Sequence, residues 1–305
     1  VDGILVIDKP VGFTSHDVVA KVRRILKTKR VGHTGTLDPF ATGVLVVLAG
    51  RATRLAQFLD KDEKEYSACV RFGFETDTGD ATGQVLKAES RMQNEEVAKL
   101  LAKTDWESVL VRFRGEIEQI PPMFSAKKVA GKKLYEHARR GVEIERKPIR
   151  VNIRSIELIE SAIRNPQSAI DTLRIRVACS AGTYIRTLAT DIGREINVGA
   201  HLTELRRSRA GKFSLSQSVT LDELNESNNP LERLVPIEEA VSHLDAINLN
   251  AERSKKTLSG LSTRVGEMNF SMNQPIRMLS ESCELLAIGF YNEAEKSVQP
   301  KIVLM

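Results

Sequence analysis

Cysteine is scarce: three residues in 305, Cys69, Cys179 and Cys283, widely separated, odd in number and without a CxxC pair. That count argues against a disulfide framework and against a zinc site, and leaves the three as reduced, buried fillers. Long apolar runs are missing too. Nothing approaches the ~20 consecutive apolar residues of a membrane span. Val1 to Pro10 carries Asp2 and Asp8 where a secretion signal would place basic residues and then an apolar stretch. A soluble, cytoplasmic protein without a membrane partner is the expectation. The five histidines, at 16, 33, 137, 201 and 243, show no metal-ligand spacing. The GxxxxGK phosphate loop, HExxH, GxSxG and GxGxxG are all absent, as are internal repeats and low-complexity segments.

What is present is a globular composition, 41% hydrophobic and 28% charged, which excludes wholesale disorder and a coiled-coil rod. At about 100–200 residues per domain, the length predicts one large domain with a small one, or two of moderate size. Forty-five Lys and Arg against forty Asp and Glu leave a net charge of +5. Its placement is uneven. Residues 21–30 hold six basic and no acidic side chains, 127–150 nine and three, and 194–212 five and two; together they carry +15 against −10 for the rest. A polyanion-binding face has this signature, because each phosphate neutralised releases condensed counterions. Three solvated faces that never meet would give the same pattern.

Gly3 to Ile7 reads as a short strand closed by the turn residues Pro10 and Gly12. Thr14 or Ser15 can cap the helix that follows, with Asp17 in its first turn and Val18, Val19, Val22, Ile25 and Leu26 at helical spacing. Val44 to Leu48 is apolar throughout, a buried strand, whereas Tyr66, Ala68, Val70, Phe72 and Phe74 alternate with Ser67, Cys69, Arg71 and Gly73, a strand with one packed face. Pro121 to Lys147, rich in Lys, Arg and Gly and without a clean period, predicts an exposed excursion. Leu173, Ile175, Val177 and Cys179 alternate again, and Thr183 is placed at the start of a helix whose buried stripe is Ile185, Leu188, Ile192 and Ile196. Beyond a Ser/Asn-rich stretch at 226–230, a helix-like segment and the runs 275–279, 284–290 and 298–304 predict a small β-rich terminal domain. Interspersed strands and helices over the first 230 residues favour an α/β or α+β sheet domain.

Two loops bear on chemistry. Residues 32–43 read GHTGTLDPFATG; the glycines permit tight backbone geometry and Pro39 biases Asp38 toward an extended conformation, so the carboxylate sits on a rigid loop as a nucleophile would. An Asx-type turn accounts for the same residues. TDTGDATG at 76–83, with Asp77 and Asp80, lacks the ligand series of an EF-hand and reads as a hydrogen-bonded turn.

GHTGTLDPFATGVL, preceded by GILVIDKPVGFTSHDVV and followed by KEY, DTGDATG, PPMFSAKKVAGKKLYEHARRG and SAGTYIRTLATDIG, resembles the TruB family of pseudouridine synthases from Gly3 to about Arg209. The resemblance implies an α/β (α+β) fold: a mixed-sheet catalytic domain over 1–235 with an inserted basic thumb at about 121–148, then a small β-rich PUA-like RNA-binding domain over 245–305. It also implies the activity, isomerisation of uridine 55 in the T-loop of tRNA, without cofactor or metal, by a stand-alone monomer with no obligatory protein partner. Asp38 matches the catalytic aspartate, Tyr66 the tyrosine that stacks on the target base and is implicated in proton removal, and Arg186 the arginine that pairs with the nucleophile. Leu205 matches the apolar residue under the base, and His33 the histidine among the flipped T-loop nucleotides. Lys9 and Lys64 match recurrent basic positions and count with the substrate-binding residues, and Lys132, Lys133, Arg139 and Arg140 belong to the thumb that grips the T-arm. By periodicity alone Tyr66 is a packing residue and Arg186 an exposed first-turn arginine.

Pseudouridine formation breaks the N1–C1′ bond, turns the uracil and joins C5 to C1′, so the base must leave its stack and be held throughout. Substrate and product are isomers, and no cofactor is demanded. The nucleophile must be ionised at neutral pH, and an arginine beside it opposes the upward pKa shift of a carboxylate in an apolar pocket. Two rival readings remain. One is the guide-RNA-directed branch of the same superfamily, whose members depend on partner proteins and carry Lys-rich terminal tails that this chain lacks. The other is a non-catalytic tRNA-binding or folding protein, for which Asp38, Tyr66 and Arg186 would be superfluous.

Overall fold

A computed structural model describes residues 1–86, 94–125, 127–129, 131–138, 140–162, 172–266 and 269–304. The apolar runs become strands: β1 Gly3–Lys9, β2 Val31–Thr34, β3 Thr42–Ala49, β4 Lys64–Phe72, β5 Gly115–Gln119, β6 Lys128–Val129, β7 Lys132–Lys133, β8 Ile149–Ala162, β9 Thr172–Cys179, β10 Ala200–Ala210 and β11 Phe213–Ser214. Among the described residues, nine of these form one sheet in the order β1-β3-β10-β4-β9-β8-β5, with β2 on β3 and β11 on β10. β3 and β10 run parallel while the other neighbours are antiparallel, so the sheet is mixed and the fold is of the α/β kind that the interspersed elements imply. β6 and β7 make a separate hairpin within the basic excursion, followed by the short helix Leu134–Ala138.

Two-sided burial explains the apolar run of β3. Leu45, Val47 and Ala49 pack with Val18, Val19 and Val22 of the helix Ser15–Ile25, while Val44, Val46 and Leu48 pack with Leu55, Ile288 and Ile302. A strand covered on both faces has no solvent side on which to place a polar residue, and each such side chain contributes roughly 1.5–3 kcal/mol. The helix Ser15–Ile25 opens with a capping box: the Thr14 hydroxyl accepts from the Asp17 amide at 3.1 Å and the Asp17 carboxylate accepts from the Thr14 amide at 2.9 Å. Thr14 is therefore the cap, and Ser15 is released for another task. On the other side of the sheet, Tyr66, Ala68, Val70, Leu173, Ile175 and Val177 pack with Ile185, Leu188 and Ile192 of the helix Ile185–Glu195. That helix begins two residues later than Thr183. The Thr183 hydroxyl instead donates to the Ser180 carbonyl at 2.9 Å and closes the preceding turn.

A second sheet holds β12 Asp245–Asn248, β13 Thr263–Arg264, β14 Pro275–Leu279, β15 Leu285–Asn292 and β16 Ser297–Val303, in the order β12-β14-β15-β16-β13, with the helix Ala251–Leu258. Its Leu285, Ile288, Ile302 and Leu304 join the cluster under β1 and β3. Cys69 and Cys179 are buried, but Cys283 is exposed at φ +62 in the turn before β15 and fills no core space, contrary to expectation. Among the described residues no helix is long and apolar enough to cross a membrane.

One rung of the large sheet carries residues that recur below. Lys9 faces Gly43, Gly43 faces Arg207, Arg207 faces Tyr66 and Tyr66 faces Val177. Gly43 has φ +100, and a Cβ there would lie 2.2 Å from the Arg207 carbonyl oxygen. Gly43→Ala is therefore expected to lower unfolding free energy by more than about 3 kcal/mol. Gly12 has φ +82 and nothing within 4 Å of its missing Cβ, so Gly12→Ala should lose only the about 1–2 kcal/mol of a left-handed alanine. Urea denaturation of the two variants checks the contrast; equal losses would contradict it.

Candidate active site

The loop between β2 and β3 is tied down on both sides of Asp38. The Ser15 hydroxyl accepts from the Leu37 amide at 3.0 Å, and the Gly12 amide donates to the Pro39 carbonyl at 2.8 Å. Lys9, fully buried, donates from Nζ to the carbonyls of Pro10 at 3.0 Å, Phe13 at 2.6 Å and Pro39 at 3.3 Å. Burial lowers the Lys9 pKa to about 8, with Asp38 the main opposing charge. The family motif puts Lys9 with the substrate-binding residues; with its three donors spent on backbone carbonyls inside the protein, it is a positioning residue for the Asp38 loop. The Asp38 carboxylate does not close an Asx turn: both its oxygens face Arg186.

Arg186 sits in the first turn of the helix Ile185–Glu195 and is 4% exposed, not the solvent-facing arginine that its position suggests. Its Nε lies 2.9 Å from Asp38 Oδ2, and Nη2 donates to Asp38 Oδ1 at 3.3 Å. Nη2 also donates to the Phe124 carbonyl at 2.7 Å, and Nη1 to the Thr78 carbonyl at 2.8 Å. Asp80, buried, lies 3.6 Å from Nη1 through Oδ2, while its Oδ1 accepts from the Thr78 hydroxyl and the Thr82 amide, each at 2.9 Å. The TDTGDATG segment is thus the hydrogen-bonded turn it reads as, and also a second carboxylate for Arg186. The helix start is fixed by the buried Gln119, whose side chain accepts from the Tyr184 amide at 2.9 Å and donates to its carbonyl at 3.2 Å. Dense surroundings push the Asp38 carboxyl above the usual carboxylate range; Arg186 is the strongest opposing influence and Asp80 adds to the rise.

Asp38 opens onto a cavity of about 530 Å³ whose walls include His33, Lys64, Tyr66, Lys127, Leu205 and Arg207. The Tyr66 ring is buried and its phenol is raised above its ordinary range by burial, with Arg207 opposing. At neutral pH it is a neutral hydroxyl on a flat ring, suited to stacking rather than to acting as a phenolate base. Leu205 supplies the apolar wall, 7% exposed on β10. The His33 ring, edge-on to His16 at 5.6 Å, has its pKa lowered to about 4 by burial and is neutral. Lys64, almost fully buried, donates to the Asp60 carbonyl and has its pKa lowered by burial.

The basic segments divide differently from expectation. In 194–212 every cation is engaged: Arg194 with Glu75 at 2.7 Å, Arg206 with Asp8 at 2.7 Å, Arg209 with Glu63 at 2.6 Å, and Lys212 with the Glu239 carbonyl. Arg207, 1% exposed, donates to the Val44 carbonyl at 2.7 Å and the Gly35 carbonyl at 2.8 Å, under the cavity floor. This segment is scaffold, not a free polyanion face. Of the thumb residues, Lys132 and Arg140 are exposed and line no part of the cavity, Lys133 lies in β7, and Arg139 falls outside the described residues. Asp80, Arg207, Gln119 and Ser15 are the site residues that sequence reading missed. Asp80 alone carried a local signal, the turn motif around it.

The site thus sets a carboxylate against a permanent cation on the wall of a cavity of about 530 Å³ that a neutral aromatic ring and a leucine also line. Comparison with known proteins supplies the class. Residues 23–185 match the TruB family pseudouridylate synthase N-terminal domain, and residues 186–242 match the tRNA pseudouridylate synthase B C-terminal domain. The chain is 42% identical to the tRNA pseudouridine synthase B of Bacillus subtilis, covering 100% of this chain and 98% of that one, and 44% identical to that of Heliobacterium modesticaldum, covering 94% and 90%. Among solved structures, a chain of a Cbf5-Nop10-Gar1 complex superposes with a TM-score of 0.73 at 28% identity, covering 99% of this chain and 85% of that chain. The chain belongs to the TruB family of pseudouridylate synthases.

If Lys9 works by holding the Asp38 loop, Lys9→Met should lower the single-turnover rate about 10–100-fold while RNA affinity changes less than about twofold. Quench-flow and filter binding on the same preparation check this; a loss confined to affinity would return Lys9 to the substrate-binding residues.

Proposed function

We propose that this chain converts uridine 55 in the T-loop of tRNA to pseudouridine, acting alone as a monomer in the cytoplasm. The observation that carries the reading is the Asp38–Arg186 pair at 2.9 Å on the wall of a cavity of about 530 Å³. In this reading residues 1–235 form the catalytic domain, about 121–148 its RNA-gripping thumb and 245–305 a PUA-like RNA-binding domain. The uracil leaves its stack and enters the cavity against Tyr66 and Leu205, with His33 filling space among the displaced nucleotides. Asp38, whose charged form Arg186 favours against the pull of burial, is the group that starts the reaction, by addition to uracil C6 or by taking a proton from the ribose. Glycosidic cleavage frees the uracil, the base turns and C5 bonds to C1′; the Asp38–C6 bond then breaks, or Asp38 returns the ribose proton, according to the route, and the C5 proton is lost as N1 regains one. The Tyr66 phenol contributes as a neutral ring and hydroxyl.

The likeness to a chain from a Cbf5-Nop10-Gar1 complex over 99% of this chain favours a second reading, a synthase that needs partners. The higher identity to a chain named as a tRNA pseudouridine synthase with no partner in its name, 42% against 28%, supports the first.

Purified protein is expected to form pseudouridine at position 55 of an unmodified tRNA transcript and on the isolated T-arm stem-loop, because the required contacts are local to the loop and its stem. Asp38→Asn should abolish turnover. His33→Ala should reduce the single-turnover rate, and Tyr66→Ala should reduce it much more, since stacking is worth ~1–3 kcal/mol per base and the hydroxyl is removed with it. Modification only in the presence of added protein partners would favour the second reading. Greater damage from His33→Ala than from Tyr66→Ala would overturn the roles assigned here.

A further inference from the structure

Segment 21–30 is the part of the charge pattern that the active site does not absorb. Lys21, Arg23, Arg24, Lys27, Lys29 and Arg30 are all exposed. Arg23 donates to the Val31 carbonyl at 2.9 Å and Lys21 lies 4.7 Å from the Phe13 ring centroid. Among the described residues, no carboxylate pairs with Arg24, Lys27, Lys29 or Arg30. That sets them apart from the arginines of 194–212 and from Arg174 and Arg176, which pair with Glu204 at 2.7 Å and Glu157 at 3.8 Å.

Their placement relates them to the cavity. The helix Ser15–Ile25 begins beside the cavity wall: His16 packs edge-on against His33, which lines the cavity. From His16 an exposed stripe runs through Ala20 to Arg23 at i, i+4 and i+7, with Arg24 beside it, and Lys27 follows just past the helix end. Ala20 is exposed and lines a shallow groove with Gly12, Phe13, Lys21, Arg24 and Asp17, whose carboxylate is held by Thr14. A small residue at mid-stripe lets a backbone lie close to the helix, with cations beyond it. At 1.5 Å per residue, His16 to Arg24 spans about 12 Å, roughly three to four base-pair rises.

We propose that Arg24, Lys27, Lys29 and Arg30, grouped at the far end of the helix that begins beside the cavity wall, bind backbone phosphates of the substrate RNA. The proposal rests on the RNA-modifying reading above and adds to it a second gripping surface apart from the thumb.

The test is the full chain carrying Arg24→Gln, Lys27→Asn and Lys29→Gln; Lys27 has φ +50, a conformation that asparagine tolerates. Affinity for an unmodified tRNA transcript is measured from about 50 to 200 mM salt. The slope of log affinity against log salt should fall by about 2–3, at ~0.7–0.9 for each phosphate no longer neutralised, and affinity should fall further than the single-turnover rate at saturating enzyme. Arg24→Lys with Lys29→Arg, which keeps the charge, should retain the wild-type slope. Arg174→Gln with Arg176→Gln, which removes ion-paired cations, should also retain it. An unchanged slope in the triple variant, or an equal drop in the ion-paired control, overturns the proposal. Failure of the broader reading looks different: wild-type protein then makes no pseudouridine on any tRNA, whatever the slope.

Discussion

An ionised carboxylate gives up several kcal/mol of solvation when it leaves water, and the architecture around Asp38 is organised against that loss. Arg186 is the main instrument, because a guanidinium cannot deprotonate inside a protein and its fork presents donors in fixed directions. Its partners come from three distant stretches: Asp38 on the β2–β3 loop, Thr78 and Asp80 on the turn after β4, and Phe124 at the base of the basic excursion. One buried guanidinium therefore joins the Asp38 loop, a structural turn and the root of the basic excursion. Asp80 neutralises part of the charge without competing for the cavity, since its other oxygen is already held by Thr78 and Thr82.

The sheet supplies the second constraint. Lys9, Gly43, Arg207 and Tyr66 occupy one rung across β1, β3, β10 and β4, so the lysine bonded to the Pro39 carbonyl and the ring on the cavity wall are set by the same register. A slip of one residue in any of these strands would turn its side chain to the opposite face. The parallel contact between β3 and β10 is what brings Arg207 under the loop, and it requires a residue without a Cβ at Gly43. The burial of two cations, Lys9 and Arg207, goes with the same geometry: Lys9 spends its donors on the carbonyls of Phe13 and Pro39, and Arg207 on those of Val44 and Gly35.

Local patterns were legible in the sequence where the cause is local. The capping box at Thr14 and Asp17, the two-sided burial of Val44 to Leu48 and the alternation of Leu173 to Cys179 all depend on residues within a few positions of one another. The start of the arginine helix was misplaced because its N-terminus is held from 65 residues away by Gln119. Charge was misread for the same reason. Arg206 and Arg209 look like free cations in a basic run, yet their partners Asp8 and Glu63 lie 198 and 146 residues distant. Asp38 and Arg186, 148 residues apart, are joined by no periodicity or spacing; only the motifs that resemble the family placed them together before the fold did. Asp80 was visible as a turn residue, but its second role needed the neighbouring helix.

Direct titration of the Asp38 carboxyl by carbon-13 NMR, assigned by its disappearance in Asp38→Asn and followed in wild-type protein and in Arg186→Gln, tests the central claim. The account predicts a carboxylate that is ionised at neutral pH in the wild type and a titration that moves to higher pH when the guanidinium is removed, because the cation favours the charged form. An Asp38 that titrates at the same pH in both proteins, or one that is already protonated at neutral pH in the wild type, would contradict it.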